Sequence, residues 1–536
     1  MLGPLMTDEL RDSGGSASTR AWTRTGGWDG GAEALRVPGL TVLYHPDLSR
    51  IGERTVVAGL ADGGRVSLSR HGPDFAAPGS ELRRPLADVS LSRKPVRLRG
   101  RAGQVVIDRG DSRTRLHLGE REVETTASIQ VEELDPGVVL LLSGRIVLLL
   151  HLLDPLADVA TPRFGMVGES PALARVRREV VRTADLDVPL LLRGESGTGK
   201  ELVARAVHEA GPRRRGPFVA VHMAAVPPTL AAAELFGAER GAYTGAQQRR
   251  RGHFQQAHGG TLFLDEIGET PPEVQAMLLR ALETGEVRPV GGERSERVDV
   301  RVVSATDADL AAAVETERFR APLFHRLSGY VIHLPPLRER REDFGRLLVH
   351  FLRRELETVG AAHLLAPERD PWLPASRVAR LAAWHWPGNV RQLANVVRQI
   401  VIANRDSDPA VRFERIEALL AEAPPPSSPS VAPAGPHRSS PPRRPSDLRE
   451  EEVVEALRAH RFRPAAAADA LGIPRSSIYD LIDKIPGLRK ASELSREEVE
   501  AARVRSGPSV EAMAADLKVS ERALRRRLGE LGLPGE

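Results

Sequence analysis

Cysteine is missing from all 536 residues. Its absence removes disulfide scaffolds, thiol nucleophiles and cysteine-ligated zinc from consideration. Lysine is scarce as well, occurring at Lys94, Lys200, Lys484, Lys490 and Lys518, while arginine supplies the remaining positive charge. Neither sign of charge dominates: 76 Lys and Arg stand against 72 Asp and Glu, a formal +4. So small an excess does not by itself point to nucleic acid. Long apolar runs are lacking too. The most apolar stretch, Val138 to Leu153, is interrupted by Ser143, Gly144, Arg145 and His151. It reads as two β-strands about a Ser-Gly turn and not as a membrane helix. Met1 to Gly15 shows no basic segment followed by an apolar core, so no signal peptide is expected and the chain is expected to be cytoplasmic.

The length and a hydrophobic content of 41% suit several domains, each with its own core. Residues 1–38 are rich in Gly, Ser and Thr and read as a flexible N-terminus. Residues 39–158 carry short alternating segments, Arg65 to Arg70, Asp88 to Arg93, Gln104 to Asp108 and Thr114 to Leu118, expected as strands of an all-β sandwich. From residue 163 to 336 apolar strands alternate with helical segments. The strands are Val188 to Leu192, Phe218 to His222, Thr261 to Asp265, Val300 to Ser304 and Tyr330 to Leu334, the pattern of a parallel α/β sheet. Residues 337–422 read as helices only. Residues 423–446 are dense in Pro and Ser and read as an extended linker. The remainder repeats internally: Leu448 corresponds to Leu494, Val453 to Val499, Leu471 to Leu517 and Ile478 to Leu524. Residues 447–490 and 494–536 are therefore expected to be tandem helical modules.

One motif carries chemistry outright. Gly194, Glu195, Ser196, Gly197, Thr198, Gly199, Lys200 and Glu201 follow an apolar strand and open a helix. That is a phosphate loop in its required context: glycines let backbone N–H groups wrap phosphates, and Lys200 can reach the β- and γ-phosphates of ATP. Glu201 stands where Ser or Thr is usual, so Mg2+ needs another ligand. Asp265, at the end of an apolar strand, is assigned to the metal, and Glu266 to orienting the attacking water. Arg320 and Arg326 could supply charge to a neighbouring subunit's phosphates, but in so arginine-rich a chain composition alone favours reading them as solvated surface.

Beyond these, the segment from Val167 to Leu420 resembles the AAA+ domain of bacterial enhancer-binding proteins, the activators of sigma-54 RNA polymerase. The resemblance centres on Gly241, Ala242, Tyr243, Thr244, Gly245 and Ala246, which look like the sigma-contacting loop of that family, with Tyr243 in place of the usual Phe. It implies that Thr306 is a sensor I residue, that Arg320 and Arg326 are arginine fingers, and that Arg391 in Trp386 to Leu393 senses nucleotide. His222 falls where the family has an Asn that restrains the catalytic glutamate, which suggests altered coupling of hydrolysis to nucleotide state. Asp307 and Pro322 also depart from the family pattern. The resemblance further implies a homo-oligomer, a hexamer, with ATP and Mg2+ as cofactors and sigma-54 holoenzyme as partner.

The ends add partners. Leu471 to Ile482 resembles a Fis-type helix-turn-helix, with Arg475, Ser476, Ser477 and Tyr479 expected to face enhancer DNA. In the second module Arg522, Arg525, Arg526 and Arg527 are candidates for contact with DNA. The β domain resembles a forkhead-associated (FHA) domain, a phosphothreonine reader, through Arg70, Ser92 and Arg93. Its alternatives are subunit contact or intramolecular control. Three readings of the whole chain follow: a sigma-54-dependent activator with ATPase activity, an AAA+ remodeller of another protein client, or a DNA-binding regulator with impaired ATPase.

Overall fold

The computed structural model describes residues 36–60, 63–101, 103–154, 161–242, 248–366, 369–410, 412–414, 416–418, 450–459, 467, 471, 485, 494–507, 509–519, 524–525, 527–528 and 531. They fall into two compact units, residues 1–427 and 428–536. The segment read from sequence as a flexible N-terminus and the first helix-turn-helix segment lie almost wholly outside the described residues, and the linker lies wholly outside them.

The first unit begins with strands β1 (Val37–Tyr44), β2 (Arg54–Val56), β3 (Arg65–Leu68), β4 (Val96–Arg101), β5 (Gln104–Asp108), β6 (Leu116–Leu118), β7 (Arg121–Glu122), β8 (Thr126–Gln130), β9 (Val138–Leu142) and β10 (Ile146–Leu153). They make two sheets, ordered β2-β1-β10-β9-β6-β7 and β3-β4-β5-β8, with antiparallel pairing throughout. Leu40, Val42, Leu140, Leu142, Ile146, Leu148 and Leu150 of the larger sheet meet Leu98, Val105, Ile107 and Ile129 of the smaller one in a common core. The intervening residues Val139, Leu141, Val147 and Leu149 are buried as well, in a different core. Alternation disappears from β9 and β10 because both faces of the sheet are covered. A register shift between Val42 and Tyr44 inserts one residue into β1. As a β-bulge does, it turns both Leu43 and Tyr44 toward that second core. One expected strand is corrected: Asp88 to Arg93 forms turns. The Asp88 side chain accepts from Ser90 N at 2.8 Å and Ser92 Oγ accepts from Lys94 N at 3.1 Å, local bonds that compete with a ladder.

An α/β layer follows. Helix α1 (Pro171–Thr183) precedes β11 (Leu190–Arg193), α2 (Lys200–Ala210), β12 (Phe218–His222), α3 (Pro228–Phe236), α4 (His253–Gln256), β13 (Thr261–Asp265) and α5 (Pro272–Thr284). The short hairpin β14 (Glu286–Val287) and β15 (Glu296–Arg297) leads to β16 (Arg301–Thr306), α6 (Leu310–Glu315), α7 (Ala321–Leu327) and β17 (Tyr330–His333). The sheet order is β12-β13-β16-β11-β17, parallel throughout. The unit closes with helices α8 (Phe344–Thr358), α9 (Ala375–Ala383) and α10 (Asn389–Asn404), whose Leu347, Leu348, Phe351, Val378, Val397 and Ile400 share one core with the outer face of the larger β sheet.

In the second unit α11 (Glu450–Ala459), α12 (Arg496–Ser506) and α13 (Val510–Asp516) are described. Ser495 caps α12 in a capping box with Glu498. Leu494, Val499, Val510, Met513, Leu524 and Leu528 form one core. Among the described residues no helix is long and apolar enough to cross a membrane.

Candidate functional site

The phosphate loop spans the gap between β11 and α2, at the carboxyl ends of parallel strands where α/β sheets bind ligands. Gly197 and Gly199 have φ of 79° and 107°, values that L side chains rarely adopt, so the loop's path depends on glycine there. The Lys200 ammonium folds back onto the loop, donating to Gly194 O at 2.7 Å and Glu195 O at 3.3 Å. Burial pulls its pKa down, against the opposing charges of Asp265, Asp307 and Glu266.

Register brings the acids together. Strands β12 and β13 are parallel, with His222 opposite Asp265. The imidazole lies between the two carboxylates, Nδ1 at 3.5 Å from Asp265 Oδ2 and Nε2 at 3.7 Å from Glu266 Oε2. Glu266 itself has φ of 53°. A left-handed glutamate is uncommon and stores strain, a feature concentrated at functional sites. On the other flank β16 pairs with β11, so Thr306 is opposite Arg193 and its carbonyl accepts from Gly194 N at 3.2 Å. Thr306 is fully buried, and its Oγ1 accepts from Ala308 N at 3.0 Å.

The helical segment reaches the loop from the far side. Arg391 donates to Ser196 Oγ at 3.1 Å, and the backbone N–H groups of Val390 and Arg391 donate to Gly197 O at 3.0 and 3.3 Å. Asn389, completely buried with φ of 50°, donates to Glu195 Oε2 and Ser196 O, both at 3.1 Å, and accepts from Leu337 N at 2.8 Å. Arg338 grips the Glu195 carboxylate with both Nη atoms and holds its pKa below the ordinary value. Arg340, buried, donates to Thr198 O at 3.2 Å. Sequence reasoning missed these roles for Asn389, Arg338 and Arg340. They lie in the contiguous segments Leu334 to Arg340 and Trp386 to Leu393, yet only the fold shows which of their side chains turn toward the loop.

The other expected residues are dispersed. Glu201 faces solvent and pairs with Arg205. Arg320 caps α7 by position and is exposed; among the described residues its side chain makes no hydrogen bond or ion pair, while its backbone N–H donates to Gln275 Oε1 at 2.8 Å. Arg326, also exposed, donates to Leu282 O at 3.2 and 2.8 Å. Pro322 falls in the first turn of α7, where its missing N–H costs nothing. Gly241 and Ala242 stand on a stem where Ala238 bridges Arg250 and Val290. Tyr243, Thr244, Gly245 and Ala246 lie outside the described residues, as do Arg475, Ser476, Ser477, Tyr479, Arg522 and Arg526. Arg525 is exposed, whereas Arg527 turns inward and donates to Leu494 O at 3.0 and 2.9 Å. The latter is a correction: this guanidinium braces its own module, because the carbonyl ahead of α12 lies within its reach.

A phosphate loop at a parallel sheet, an acidic strand end beside it and a helical segment clasping it define an AAA+ ATPase domain with its lid. More particularly, residues 166–333 match the sigma-54 interaction domain and residues 338–432 the AAA+ ATPase lid domain. The chain is 47% identical over 277 residues to the DNA-binding transcriptional regulator NtrC of Salmonella typhimurium, covering 52% of this chain and 57% of that protein. It is 41% identical over 327 residues to NtrC of Azospirillum brasilense, covering 61% and 62%. The chain thus spans less than two thirds of the length of these curated relatives. Among solved structures, NtrX from Brucella abortus in complex with ATP aligns at 31% identity and a TM-score of 0.42, over 60% of this chain and 69% of that one.

Proposed function

We propose that this protein is a sigma-54-dependent transcription activator that hydrolyses ATP to remodel sigma-54 RNA polymerase holoenzyme and open promoters. The observation that carries this reading is the match of residues 166–333 to the sigma-54 interaction domain, with Lys200, Asp265 and Glu266 gathered at the carboxyl end of one parallel sheet. Lys200 would leave the Gly194 and Glu195 carbonyls to hold the β- and γ-phosphates. Glu266 would orient the attacking water, and His222 would steady both carboxylates. Thr306 and Arg391 would sense the nucleotide from either side. Arg320 and Arg326, exposed on α7, would complete the site of the next subunit in a ring, a hexamer. The donor set suits Mg2+, which is characteristically held by one or two carboxylates plus nucleotide phosphates and water. Asp265 would hold it, and the ion would neutralise charge developing on the phosphates.

The loop from Gly241 to Ala246 would carry each hydrolysis event to the sigma factor. The C-terminal modules would hold the protein on enhancer DNA, through Arg475, Ser476, Ser477 and Tyr479 in one and Arg522, Arg525 and Arg526 in the other. The β domain would sense phosphothreonine in the FHA manner. Support for that comes from one end of the sandwich, where Arg70 N donates to Ser92 O at 3.2 Å and Arg93 is exposed beside them.

The test is promoter opening by the full-length protein with sigma-54 holoenzyme, followed by permanganate reactivity of the melted strand. Opening with ATP and none with a non-hydrolysable analogue is the expected result. ATP hydrolysis without opening would redirect the reading to another protein client. Absence of both would favour an impaired ATPase.

A further inference from the structure

The phosphate loop is tied to the lid by a side chain that takes no part in holding phosphate. Glu195 is the loop's second residue. Its carboxylate is gripped by both Nη atoms of Arg338, at 2.7 Å to Oε2 and slightly closer to Oε1, and receives Asn389 Nδ2 at 3.1 Å. Its backbone carbonyl meanwhile accepts from Thr198 Oγ1 at 2.7 Å and from Lys200 Nζ at 3.3 Å. One residue therefore links the phosphate-binding lysine to two lid residues. Asn389 has no freedom to drift: it is completely buried, in a left-handed conformation, and three hydrogen bonds fix its amide.

The lid, in turn, is fused to the β domain. Leu43, Tyr44, Val139, Leu141, Val147 and Leu149 share one core with α8, α9 and α10. Helix α8 presses so closely on β1 that a Cβ on Gly345 would fall 2.1 Å from Leu43 O. Tyr44 Oη donates to Leu373 O at 2.8 Å, Arg341 to Gly137 O at 2.8 Å and Arg346 to Gly52 O at 3.1 Å. Domains joined by an apolar core and backbone contact move together, whereas small polar interfaces let domains move apart. A half-buried ion pair still open to solvent contributes little free energy, so the Glu195–Arg338 contact matters for where it holds the loop and not for how much it stabilises the fold.

Resting on the ATPase reading, we propose that Arg338 and Asn389 are positioning residues that set the phosphate loop through Glu195, and that the β domain adjusts nucleotide binding through this latch. The carboxylate–guanidinium pair fixes the loop carbonyls that engage Lys200. A shift of the lid and β domain together moves Glu195, and with it the lysine and the glycine amides. The β domain thus reaches the ATP site without touching nucleotide.

The test is equilibrium binding of a fluorescent ATP analogue to full-length protein, paired with steady-state hydrolysis. Arg338→Ala should weaken binding and raise KM about tenfold while kcat stays within twofold. Arg338→Lys, which keeps charge but loses the two-pronged grip, should recover only part of the loss. Tyr44→Phe, which deletes one hydroxyl at the β domain–lid seam, should weaken binding two- to threefold in the wild type and leave the Arg338→Ala protein unchanged. The latch is overturned if Arg338→Ala binds as the wild type does, if kcat falls as much as KM rises, or if Tyr44→Phe acts equally in both backgrounds. A wild type that binds no nucleotide would instead sink the ATPase reading, and the latch with it.

Discussion

At the scale of single residues, the site runs on a few side chains whose surroundings decide their roles. Glu266 is held in a strained left-handed conformation directly after the strand residue Asp265. If it orients the attacking water, Glu266→Gln should lower kcat by about 10² or more while nucleotide binding persists, as loss of a general base does. Parallel binding and turnover measurements check this. A different residue contributes to acid sensitivity. His151 on β10 is buried against Thr41 Oγ1 at 2.8 Å, and burial, helped by Arg54 and Arg36, pushes its pKa down to about 3. The folded protein thus disfavours the charged imidazole, while the unfolded chain titrates near 6.5. Its contribution is complete above pH 6.5 and is lost as pH falls from there toward 3. At pH 5 the loss is about 2 kcal/mol, from 1.36 kcal/mol for each unit below 6.5. Denaturant unfolding at pH 7.5 and pH 5 should show a drop larger by that amount in the wild type than in His151→Gln.

At the scale of elements, strand ends and helix starts do the positioning. Parallel pairing of β12 with β13 aligns His222 with Asp265, and pairing of β11 with β16 sets Thr306 beside the phosphate loop. The start of α10 closes over Gly197, whose added Cβ would lie 2.3 Å from Gly388 O at a φ of 79°. Gly197→Ala should therefore displace the lid clasp and weaken nucleotide binding by tenfold or more, read by calorimetric titration. Most of these elements were legible in the sequence. Phe218 to His222 and Thr261 to Asp265 are strands at the bounds their composition implies, because buried parallel strands are short apolar runs. Asp88 to Arg93 misled for a definite reason. Its alternation mimics a strand, but Asp88 and Ser92 spend their side chains on nearby backbone N–H groups.

At the scale of the whole molecule, or at least of its first unit, the β domain and the lid share a core that neither completes alone. Removing residues 1–160 would bare Leu347, Phe351 and Val378, which pack in that core. The shortened protein should bind a hydrophobic dye and show a lower Tm than the full chain, a shift that differential scanning fluorimetry detects. Ring assembly would bring the exposed arginines of α7 to a neighbour's nucleotide. Specific ATPase activity should then rise with protein concentration. Arg320→Ala subunits mixed with wild type should depress activity by more than simple dilution.

The sequence alone determined the chemistry and the kinds of element that carry it. A phosphate loop between strand and helix, an acidic strand end and a run of parallel-type strands are local patterns, written in contiguous residues and readable without knowing where the chain goes next. The loop's hold on the lid needed the tertiary structure. Glu195, Arg338 and Asn389 are far apart in sequence, and nothing local says that the segments around Arg338 and Asn389 converge on one carboxylate. The fusion of lid and β domain likewise emerged only in three dimensions. Val138 to Leu153 announces strands, but a strand buried on both faces has no alternation to show which neighbour covers each side. Here the second neighbour is the helical lid of the same chain, brought there by packing that no short stretch of sequence encodes.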